Sequence, residues 1–587
     1  MLYKFLLPTV LIILTFSSYG HSSSCTDTLE IGSLTAKGDC SFTVSASPHM
    51  SYNDAVRFLN QTTFGAQPSD ISLLSKVGPV AWIESQLNLP PSYLMPRVKQ
   101  YINAQPQSQF VFASTSFAFW KNAIESHDQL RQRMAFALSQ IFVVSNGVGD
   151  ELTEHPEAVA SFEDLLIKHA FGNFRTLLEE VTYSPAMGYY LTYLGNVKAD
   201  PERGNQPDEN YARELLQLFT IGVEQLNPDG SPILDTNGQP IETYSNSDVR
   251  GLARVFTGLN VDESNTNDKP GEAFSVPMTV ADEELHSSKE KRFLGTVIPK
   301  NTPSKRSITL ALDAIFAHPN VGPFISKQLI QRLVTSNPSP AYIARVSSAF
   351  DSGSYELAPG KVIGQGIRGD LSATLMAVLF EAKNHSSVGG RPHSKVREPI
   401  LRFTHWARAF NVTNIDAEYL FKLWDTSSAS SLAQHPYRSP SVFNFYRPGY
   451  KAPGTISAQQ NLVAPEMQIV NATSISGYVN FMTYFVFNQQ KNINVYELEQ
   501  TYIDYGMPIK AHHAVDRFST QYTPQMALAA QPSDLVEHLN SLLTGGIMAP
   551  ATKTHIVEKI TQVTSLETRV KLAILLVMIS PDYLVQR

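Results

Sequence analysis

The run DENYARELLQLFTIG, residues 208–222, carries the densest combination of acid, amide and guanidinium groups in the chain. A carboxylate such as Glu214 can move protons, and a guanidinium such as Arg213 can hold an anionic group through paired hydrogen bonds. The same residues also follow a leucine-rich pattern, which is typical of an amphipathic helix. The spacing therefore allows two interpretations, a catalytic constellation or the polar face of a buried helix.

Helix signals frame this run on both sides. Asp208 follows a proline and is a suitable N-cap, and Gly222 suits the left-handed turn that ends a helix. A helix of about 13 residues would then have two distinct faces. The apolar face holds Tyr211, Ala212, Leu215, Leu216, Leu218 and Phe219, and the polar face holds Glu209, Asn210, Arg213, Glu214, Gln217 and Thr220. Glu209 and Arg213 become an ordinary i,i+4 surface pair, so periodicity alone favours the non-catalytic interpretation.

A second amphipathic helix is predicted in SDVRGLARVFTGL, residues 247–259. Its apolar side holds Val249, Leu252, Val255, Phe256 and Leu259, and its polar side holds Arg250, Arg254 and Thr257. The two helices would pack as a pair, and their polar faces could then meet at a common groove. Glu214 would face the two arginines there, in a contact that could equally be structural.

Helical spacing of apolar residues continues through most of the chain from Ser51 onward. Further helices are predicted over 70–87, 127–145, 161–181, 321–334, 370–382 and 565–580. The main interruption is 224–245, where Asp229-Gly230 and Asn237-Gly238 predict a small hairpin or three-stranded meander. Two long irregular loops are predicted over 262–307 and 425–465. The fold class is therefore mainly α, a large multi-helix array with a small β-hairpin or meander insertion and long irregular loops.

The N-terminus has the features of a secretory signal peptide over residues 1–20. One lysine precedes an apolar run from Phe5 to Phe16, which is shorter than the roughly 20 residues that span a bilayer. Ser18 and Gly20 supply the small residues that a signal peptidase requires. The prediction is export to the periplasm or the medium, and the alternative is an uncleaved membrane anchor.

The two cysteines, Cys25 and Cys40, lie in a leader rich in serine and threonine that spans residues 21–50. In an oxidising compartment they would close a disulfide, and the alternative is two free thiols. Residues 51–587 are predicted to form a single large helical domain. Because this domain contains no cysteine, a thiolate zinc site or a cysteine nucleophile is excluded there.

Charge and motif content exclude several function classes. With 46 Lys and Arg against 53 Asp and Glu, the chain lacks the basic surface that nucleic acid binding requires. No later segment is long and apolar enough to predict a transmembrane span. The zinc helix HExxH, the nucleophile elbow GxSxG, the P-loop and the dinucleotide turn GxGxxG are all absent from the sequence. His512 and His513 are adjacent, which favours a surface position over a shared metal ion. No metal site is predicted, and the sequence does not identify a cofactor.

The polar run and the helix after it resemble the core signature of the bacterial domain-of-unknown-function 1800 family. Further matching runs follow in the family's order: RFLNQTTFGAQPSDI near the start, SPAMGYYL, HSSKEKRFLG, VREPILRF, SPSVFNFYRPGY, LVAPEMQI and the ending SPDYLVQR. The resemblance covers about residues 51–587. It implies a mostly helical exported or cell-envelope protein, commonly encoded beside a second family that looks sulfatase-like, and it carries no assigned activity.

The resemblance also selects polar positions as site candidates. The matching positions are Glu209, Asn210, Arg213, Glu214, His286, Arg397, Glu398 and Glu466, with Lys291 a weaker match. Two departures affect any metal or acid/base centre built on them. Many family members carry an aspartate where this chain has Ser287, and many carry a histidine-containing run where this chain has FALSQIF, residues 136–142.

Two functions follow as hypotheses. The first is a non-catalytic envelope protein that binds a partner, such as the sulfatase-like neighbour, with aromatic loops as interface anchors. The alternative is an enzyme or carbohydrate-active protein that acts on a surface or extracellular polysaccharide. Its acid/base candidates are Glu214, Glu466 and His286, and its binding candidates are Asn210, Arg213, Arg254, Arg397 and Lys291. Convergence of the 209–217 face, His286 and Arg397 on one deep pocket would favour the enzyme.

Overall fold

Helices packed on their apolar faces make up most of the computed structural model. The structure describes residues 50–104, 111–147, 151–264, 270–280, 282–413, 422–487 and 520–587. The predicted signal peptide, the pair Cys25 and Cys40, and His512 and His513 lie outside these residues. All described residues belong to one compact unit. The division into signal peptide, leader and single domain stays a prediction.

The first half of the chain is helical up to the polar run and again beyond the turn region. Its α-helices are Tyr52–Thr62, Pro68–Asn88, Met95–Ala104, Ser114–Glu125, Gln129–Ser139, Glu151–Glu154, Pro156–His169, Phe174–Thr182, Pro185–Tyr190, Asn210–Glu214 and Asn246–Ala253. A π-helix, Leu215–Thr220, continues the helix at Asn210, and 3₁₀ turns occur at Val111–Ala113 and Arg254–Phe256.

The second half of the chain is also mainly helical. Its α-helices are Ser304–Phe316, Val321–Leu333, Pro340–Ser352, Leu371–Glu381, Pro399–Ala409, Ile456–Gln459, Ala472–Val486, Thr523–Ala527, Pro532–Leu539, Pro550–Thr561, Leu566–Met578 and Pro581–Leu584. A second π-helix is Asn540–Thr544, and 3₁₀ turns span Pro270–Ser275, Glu283–Leu285, Val388–Gly390 and Pro465–Ile469.

The strands are short and pair two by two in antiparallel fashion. The pairs are Leu259–Asn260 with Thr279–Val280, Lys291–Phe293 with Thr296–Ile298, Tyr355–Ala358 with Lys361–Ile363, and Lys395–Val396 with Val585–Gln586. The last pair joins segments nearly 200 residues apart, with Lys395 opposite Gln586 and Val396 opposite Val585. The predicted fold class, mainly α with small β insertions, is confirmed.

Two predicted helices contain breaks that the apolar spacing alone does not reveal. The helix Pro68–Asn88 bends at Gly78, whose φ of 80° is non-helical, directly before Pro79. Proline has no N–H to donate, so it opens the helix there. The predicted helix over 161–181 is two helices, and Asn173 starts the second by accepting a hydrogen bond from the backbone N–H of Arg175 at 2.9 Å.

The turn region 224–245 is a closed ring of three short extended segments. Antiparallel bridges join Glu224 to Glu242, Leu226 to Pro232 and Leu234 to Pro240. Its turns are those predicted, since Gly230 and Gly238 both have positive φ. The backbone N–H groups of residues 225, 233 and 241 donate around the ring, each to a carbonyl of another segment. The meander is therefore a triangular unit in which each segment bridges the other two.

The long regions predicted as irregular are partly ordered by these short elements. Three of the strands lie inside 262–307, and the helix Ser304–Phe316 begins there as well. Region 425–465 contains the four-residue helix Ile456–Gln459. The predicted loops are thus long in sequence, but one strand pair, Lys291–Phe293 with Thr296–Ile298, folds back within the first of them.

The helix Pro399–Ala409 lies in the core. Phe403 contacts Trp120, Phe481 and Phe485 through tilted or edge-to-face ring pairs, with centroids 4.9–5.5 Å apart. Trp120 is fully buried, and its indole N–H donates to the carbonyl of Leu423 at 3.1 Å. Ring packing therefore joins helices from the early and late parts of the chain.

Among the described helices, none is by itself both long and apolar enough to cross a membrane. The helices Ser304–Phe316 and Val321–Leu333 meet at an angle of 75°. Taken together, they are long and apolar enough to cross a membrane.

Gly251 permits the close approach of the helix Asn246–Ala253 to the strand Lys291–Phe293. A methyl group on Gly251 would lie 1.7 Å from the carbonyl oxygen of Arg292, so the helix and the strand would have to separate. We expect Gly251→Ala to lower the free energy of unfolding by about 1–3 kcal/mol, measured by urea denaturation. The matched control is Gly449→Ala, because nothing lies within 4 Å of the added methyl there. Equal stability of the two variants would contradict this packing.

Candidate functional site

The polar run at 208–222 begins and ends close to where it was predicted, but it is not one α-helix. The Asp208 carboxylate accepts from the backbone N–H of Asn210 at 2.7 Å, and Gly222 has a φ of 70°. Between them the α-helix stops at Glu214, and a π-helix follows over Leu215–Thr220. The wider turn shifts the register, so Thr220 is buried and Leu218 is half-buried, opposite to the predicted faces.

Glu214 does not lie on a solvent-facing side, and that prediction is wrong. Its residue surface is 8% exposed, and burial raises the pKa of its carboxyl group. Arg213 remains at the surface, where it contacts Glu209 at 3.1 Å as the i,i+4 spacing predicts. The Asn210 amide donates to the hydroxyl of Thr192 at 3.3 Å. The run therefore combines one buried acid with an ordinary surface ion pair.

His286 is buried. Its Nδ1 lies 2.9 Å from the carbonyl oxygen of Thr257, and its Nε2 lies 3.3 Å from the hydroxyl of Ser307. Thr257, predicted on a polar face, is itself fully buried, and its hydroxyl accepts from the backbone N–H of Ser287 at 2.9 Å. The backbone of Ser287 therefore belongs to an internal hydrogen-bond network with Thr257 and Lys291.

Lys291 and Arg254 lie beside His286. The Lys291 ammonium donates to the carbonyl of Ser287 at 2.8 Å, and burial lowers its pKa to about 8. The Arg254 guanidinium donates to the carbonyl of Glu290 at 3.2 Å. The structure therefore brings together three of the sequence candidates, and each bonds to groups of this chain. Arg254 does not contact Glu214, so the predicted groove between the two amphipathic helices is not formed by that pair.

Glu466 belongs to a second and more deeply buried group, which we call the Lys395 cluster. It comprises Lys395, Glu398 and Glu466 together with the amides of Gln140 and Gln434. The Lys395 ammonium lies 3.2 Å from Glu466 and 3.6 Å from Glu398. Gln140 and Gln434 donate to the other oxygen of Glu398, at 2.6 and 2.8 Å. All five side chains are buried, and the two glutamates are 2% or less exposed.

The two glutamates of the Lys395 cluster differ in their affinity for a proton. Burial opposes ionisation of Glu398, but the charges of Lys395 and Arg133 outweigh it and lower the pKa of Glu398. Burial raises the pKa of Glu466. The positive charge of Lys395 opposes this shift, but the neighbouring negative charge of Glu398 partly cancels the effect of Lys395. Of the two glutamates, Glu466 therefore has the higher affinity for a proton.

Hydrogen bonds to backbone carbonyls connect the Lys395 cluster to the surrounding helices. The Lys395 ammonium and the guanidinium of Arg133 both donate to the carbonyl of Arg332, each at 2.8 Å. The Arg332 guanidinium in turn donates to the carbonyl of Gln140 at 2.8 Å, and burial lowers its pKa to about 10. The cluster thus joins three helices through charged side chains that have little contact with solvent.

Arg397 is also engaged within the protein. Its guanidinium lies 3.0 Å from Nδ1 of His405 and stacks 4.5 Å from the ring of Tyr583. Its backbone N–H donates to the carbonyl of Leu584 at 2.7 Å. The run VREPILRF is therefore fixed against the run SPDYLVQR by both side chain and backbone.

The sequence candidates do not converge on one pocket. His286, Lys291 and Arg254 form one group, Glu466 lies in the Lys395 cluster, Arg397 contacts His405 and Tyr583, and Glu214, Arg213 and Asn210 lie in the polar run. No group of three or more His, Cys, Asp or Glu side chains in the described ranges is placed to hold a metal ion.

A large cleft, which we call the main cleft, lies elsewhere, and the sequence did not indicate it. This main cleft has a volume of about 950 Å³ and is bounded by the helices Pro156–His169 and Phe174–Thr182 and by segment 276–280. Its wall is formed by the apolar residues Leu165, Pro185, Val276, Pro277, Met278 and Val280, the tyrosines 93 and 183, and the charged residues Asp164, Lys168, Glu179, Glu180, Glu283 and Lys305. An apolar cavity of this size with a few polar groups is typical of a binding site.

Two carboxylates of the main cleft have pKa values that are moved in opposite directions. Burial raises the pKa of Asp164 to about 6, although its oxygens accept from the backbone N–H groups of Leu94 and Met95 at 2.6 and 3.1 Å. The contacts of Glu180 with His169 and Lys168, at 2.9 and 2.7 Å, lower its pKa to about 2. Both groups have structural partners, so the difference identifies a charged cleft and does not by itself indicate catalysis.

Fold and site together define a mainly helical protein in which several polar signature residues, among them His286, Arg397 and Glu466, bond to neighbours in the interior, beside an open and largely apolar cleft. A family model described as "Protein of unknown function (DUF1800)" matches residues 57–585, and the chain belongs to that family. Comparisons with curated proteins and with solved structures gave no match. The resemblance deduced from the sequence is thereby confirmed.

The raised pKa of Asp164 predicts that the stability of the protein depends on pH. Its folded-state pKa of about 6 exceeds its ordinary value of 3.8, so the folded state holds the proton more tightly than the unfolded state. The stability that Asp164 contributes is fully present below about pH 4 and is lost as the pH rises through 6, by about 2–3 kcal/mol. We expect the difference in unfolding free energy between wild type and Asp164→Asn to shrink by this amount from pH 4 to pH 7, measured by urea denaturation. A difference that does not change with pH would contradict the assignment.

Proposed function

We propose that this protein is exported and acts without catalysis, by binding another macromolecule of the cell envelope through the main cleft. The partner would be a polypeptide such as the sulfatase-like neighbour, or a polysaccharide. Export is supported by the signal-peptide pattern of residues 1–20 and the implied family context. The chemistry of the cleft supports the binding role.

The observation that carries the proposal is the contrast between the signature side chains and the cleft. Glu466 is sealed in an ion pair with Lys395, and His286 bonds to Thr257 and Ser307. These groups stabilise the framework, since a buried charge that lost its partner would cost several kcal/mol. The cleft, in contrast, presents apolar wall residues and exposed side chains such as Thr176 to the outside. We therefore assign recognition of the partner to the main cleft. The polar residues of the family signature are assigned the role of holding the framework rigid.

The alternative function, an enzyme acting on a polysaccharide, has less support. It needs an acid and a base that reach the same bond, at hydrogen-bond distance from the reacting atoms. Glu214, Glu466 and His286 belong to three separate groups in the described part of the chain, and each is less than one-tenth exposed. Turnover of a polysaccharide that is abolished by Glu214→Gln or Glu466→Gln in a stably folded variant would restore this alternative.

Obstruction of the cleft tests the proposed function. Thr176 is exposed, lies on the helix Phe174–Thr182 and lines the cleft, so Thr176→Trp would fill part of the cavity without removing a buried contact. Immobilised wild-type protein, exposed to an envelope extract, should retain a protein or saccharide that Thr176→Trp loses by about tenfold or more.

The matched control for this experiment is Thr554→Trp. Thr554 is an exposed threonine of the helix Pro550–Thr561 and does not line the cleft. This variant should retain the same material as wild type, as measured by mass spectrometry and sugar analysis of the eluate. Identical retention by wild type and both variants, or by none of them, would refute binding through the cleft.

A further inference from the structure

We propose that the main cleft takes an extended, basic segment of a partner polypeptide, which adds as a third strand beside Thr279–Val280. This inference rests on the proposed function and specifies the ligand of the same site. It is carried by three independent features of the cleft, namely a strand edge, an apolar wall and the balance of charges on the lining.

The strand edge is the first feature. Thr279 and Val280 pair with Asn260 and Leu259 on one side, and both line the cleft. The sheet has two strands, so within the described part of the chain no further strand pairs with the other edge of Thr279–Val280. The N–H of the adjoining Met278 donates to the carbonyl of Tyr183 at 2.6 Å, so the edge offered to an extended peptide is that of Thr279–Val280 alone, where an added strand would form hydrogen bonds.

The apolar wall is the second feature. Leu165, Pro185 and Met278 lie around the same cavity as the strand edge. In a peptide added as a strand, alternate side chains point to one side, and one of them would enter this cavity. A flexible methionine beside rigid proline and leucine side chains suits an aliphatic or aromatic anchor.

Charge on the lining is the third feature. The cleft is lined by four carboxylates, those of Asp164, Glu179, Glu180 and Glu283, against two lysines, Lys168 and Lys305. Glu179 is paired with Arg175 at 2.8 Å and Glu180 with Lys168 at 2.7 Å, so the excess negative charge lies on Asp164 and Glu283. This excess of acid attracts a cationic segment and repels a sulfated or uronic polysaccharide.

Two of these carboxylates are held by neutral donors. Asp164 accepts from the backbone N–H groups of Leu94 and Met95, and Glu283 accepts from the backbone N–H of Ser304 at 3.1 and 3.2 Å. Because neither bond is to a cation, each holds its carboxylate in place without neutralising it. The negative charge is thus fixed in position before a ligand arrives, which limits the ordering that binding requires.

The test uses four fluorescent probes of defined chemistry, measured by anisotropy on the full chain. They are the hexapeptide Lys-Val-Lys-Phe-Lys-Val, the same peptide with glutamate in place of lysine, the basic peptide N-methylated at alternate amides, and a sulfated heparin hexasaccharide. We expect the basic peptide to bind, and the other three to bind at least about tenfold more weakly. N-methylation removes strand-pairing donors and leaves the charge unchanged, so it separates strand addition from simple attraction.

Matched variants place the binding in the cleft. Thr176→Lys should weaken binding of the basic peptide, Thr176→Glu should strengthen it, and the corresponding exchanges at Thr554 should leave it unchanged. The opposite signs at one position exclude misfolding as the cause.

Equal affinity for the acidic peptide or the hexasaccharide, or for the N-methylated peptide, would overturn this inference. The same holds if the exchanges at Thr176 have no effect. If these probes fail while Thr176→Trp still abolishes capture from the envelope extract, the ligand class is wrong and the proposed binding function stands. If capture from the envelope extract does not depend on Thr176 either, both the proposed ligand class and the proposed binding through the cleft are wrong.

Discussion

The buried ammonium of Lys395 imposes a constraint that joins distant parts of the chain. A lysine without solvent contact requires negative charge and acceptors around it, and here Glu466, Glu398 and the carbonyl of Arg332 supply them. Each of these partners comes from a different part of the chain. Strand Lys395–Val396 also pairs with Val585–Gln586, so the same position fixes the C-terminus. The side chain of Lys395 therefore joins three segments, and its backbone joins a fourth.

This constraint favours a structural interpretation of the polar residues that define the family signature. A recurrent acid or histidine suggests catalysis, yet Glu466, Arg397 and His286 each bond to neighbours inside the protein. Buried ion pairs contribute little net stability compared with apolar packing, but removal of one partner is costly. They fix which segments meet, and thereby hold the cleft and its strand edge in a defined shape. On this account the signature describes a scaffold, and the ligand is recognised by side chains outside most of the signature runs.

Much of this organisation follows from the sequence, and the remainder depends on contacts distant in the chain. Apolar periodicity predicted the mainly α class, and glycine dipeptides predicted the turns at Gly230 and Gly238, because both signals are local. The burial of Thr220 was missed because the π-helix Leu215–Thr220 changes the register of the run, and the residue types there do not indicate this wider turn. The Lys395 cluster unites residues up to 326 apart (Gln140 to Glu466), which periodicity cannot bring together. The cleft was missed because its carboxylates appear in sequence as ordinary polar helix positions.

The central claim is that the signature acids are structural, and a double-mutant cycle at Lys395 and Glu466 tests it most directly. Urea denaturation of wild type, Lys395→Met, Glu466→Gln and the double variant gives the coupling free energy of the pair. We predict that Lys395→Met alone lowers the free energy of unfolding by about 3–5 kcal/mol, since it leaves two buried carboxylates without their cation. We also predict a coupling of about 1–3 kcal/mol, because the double variant no longer leaves Glu466 charged and unpaired. Single variants within about 0.5 kcal/mol of wild type, with no coupling, would show that this cluster is not the framework of the fold.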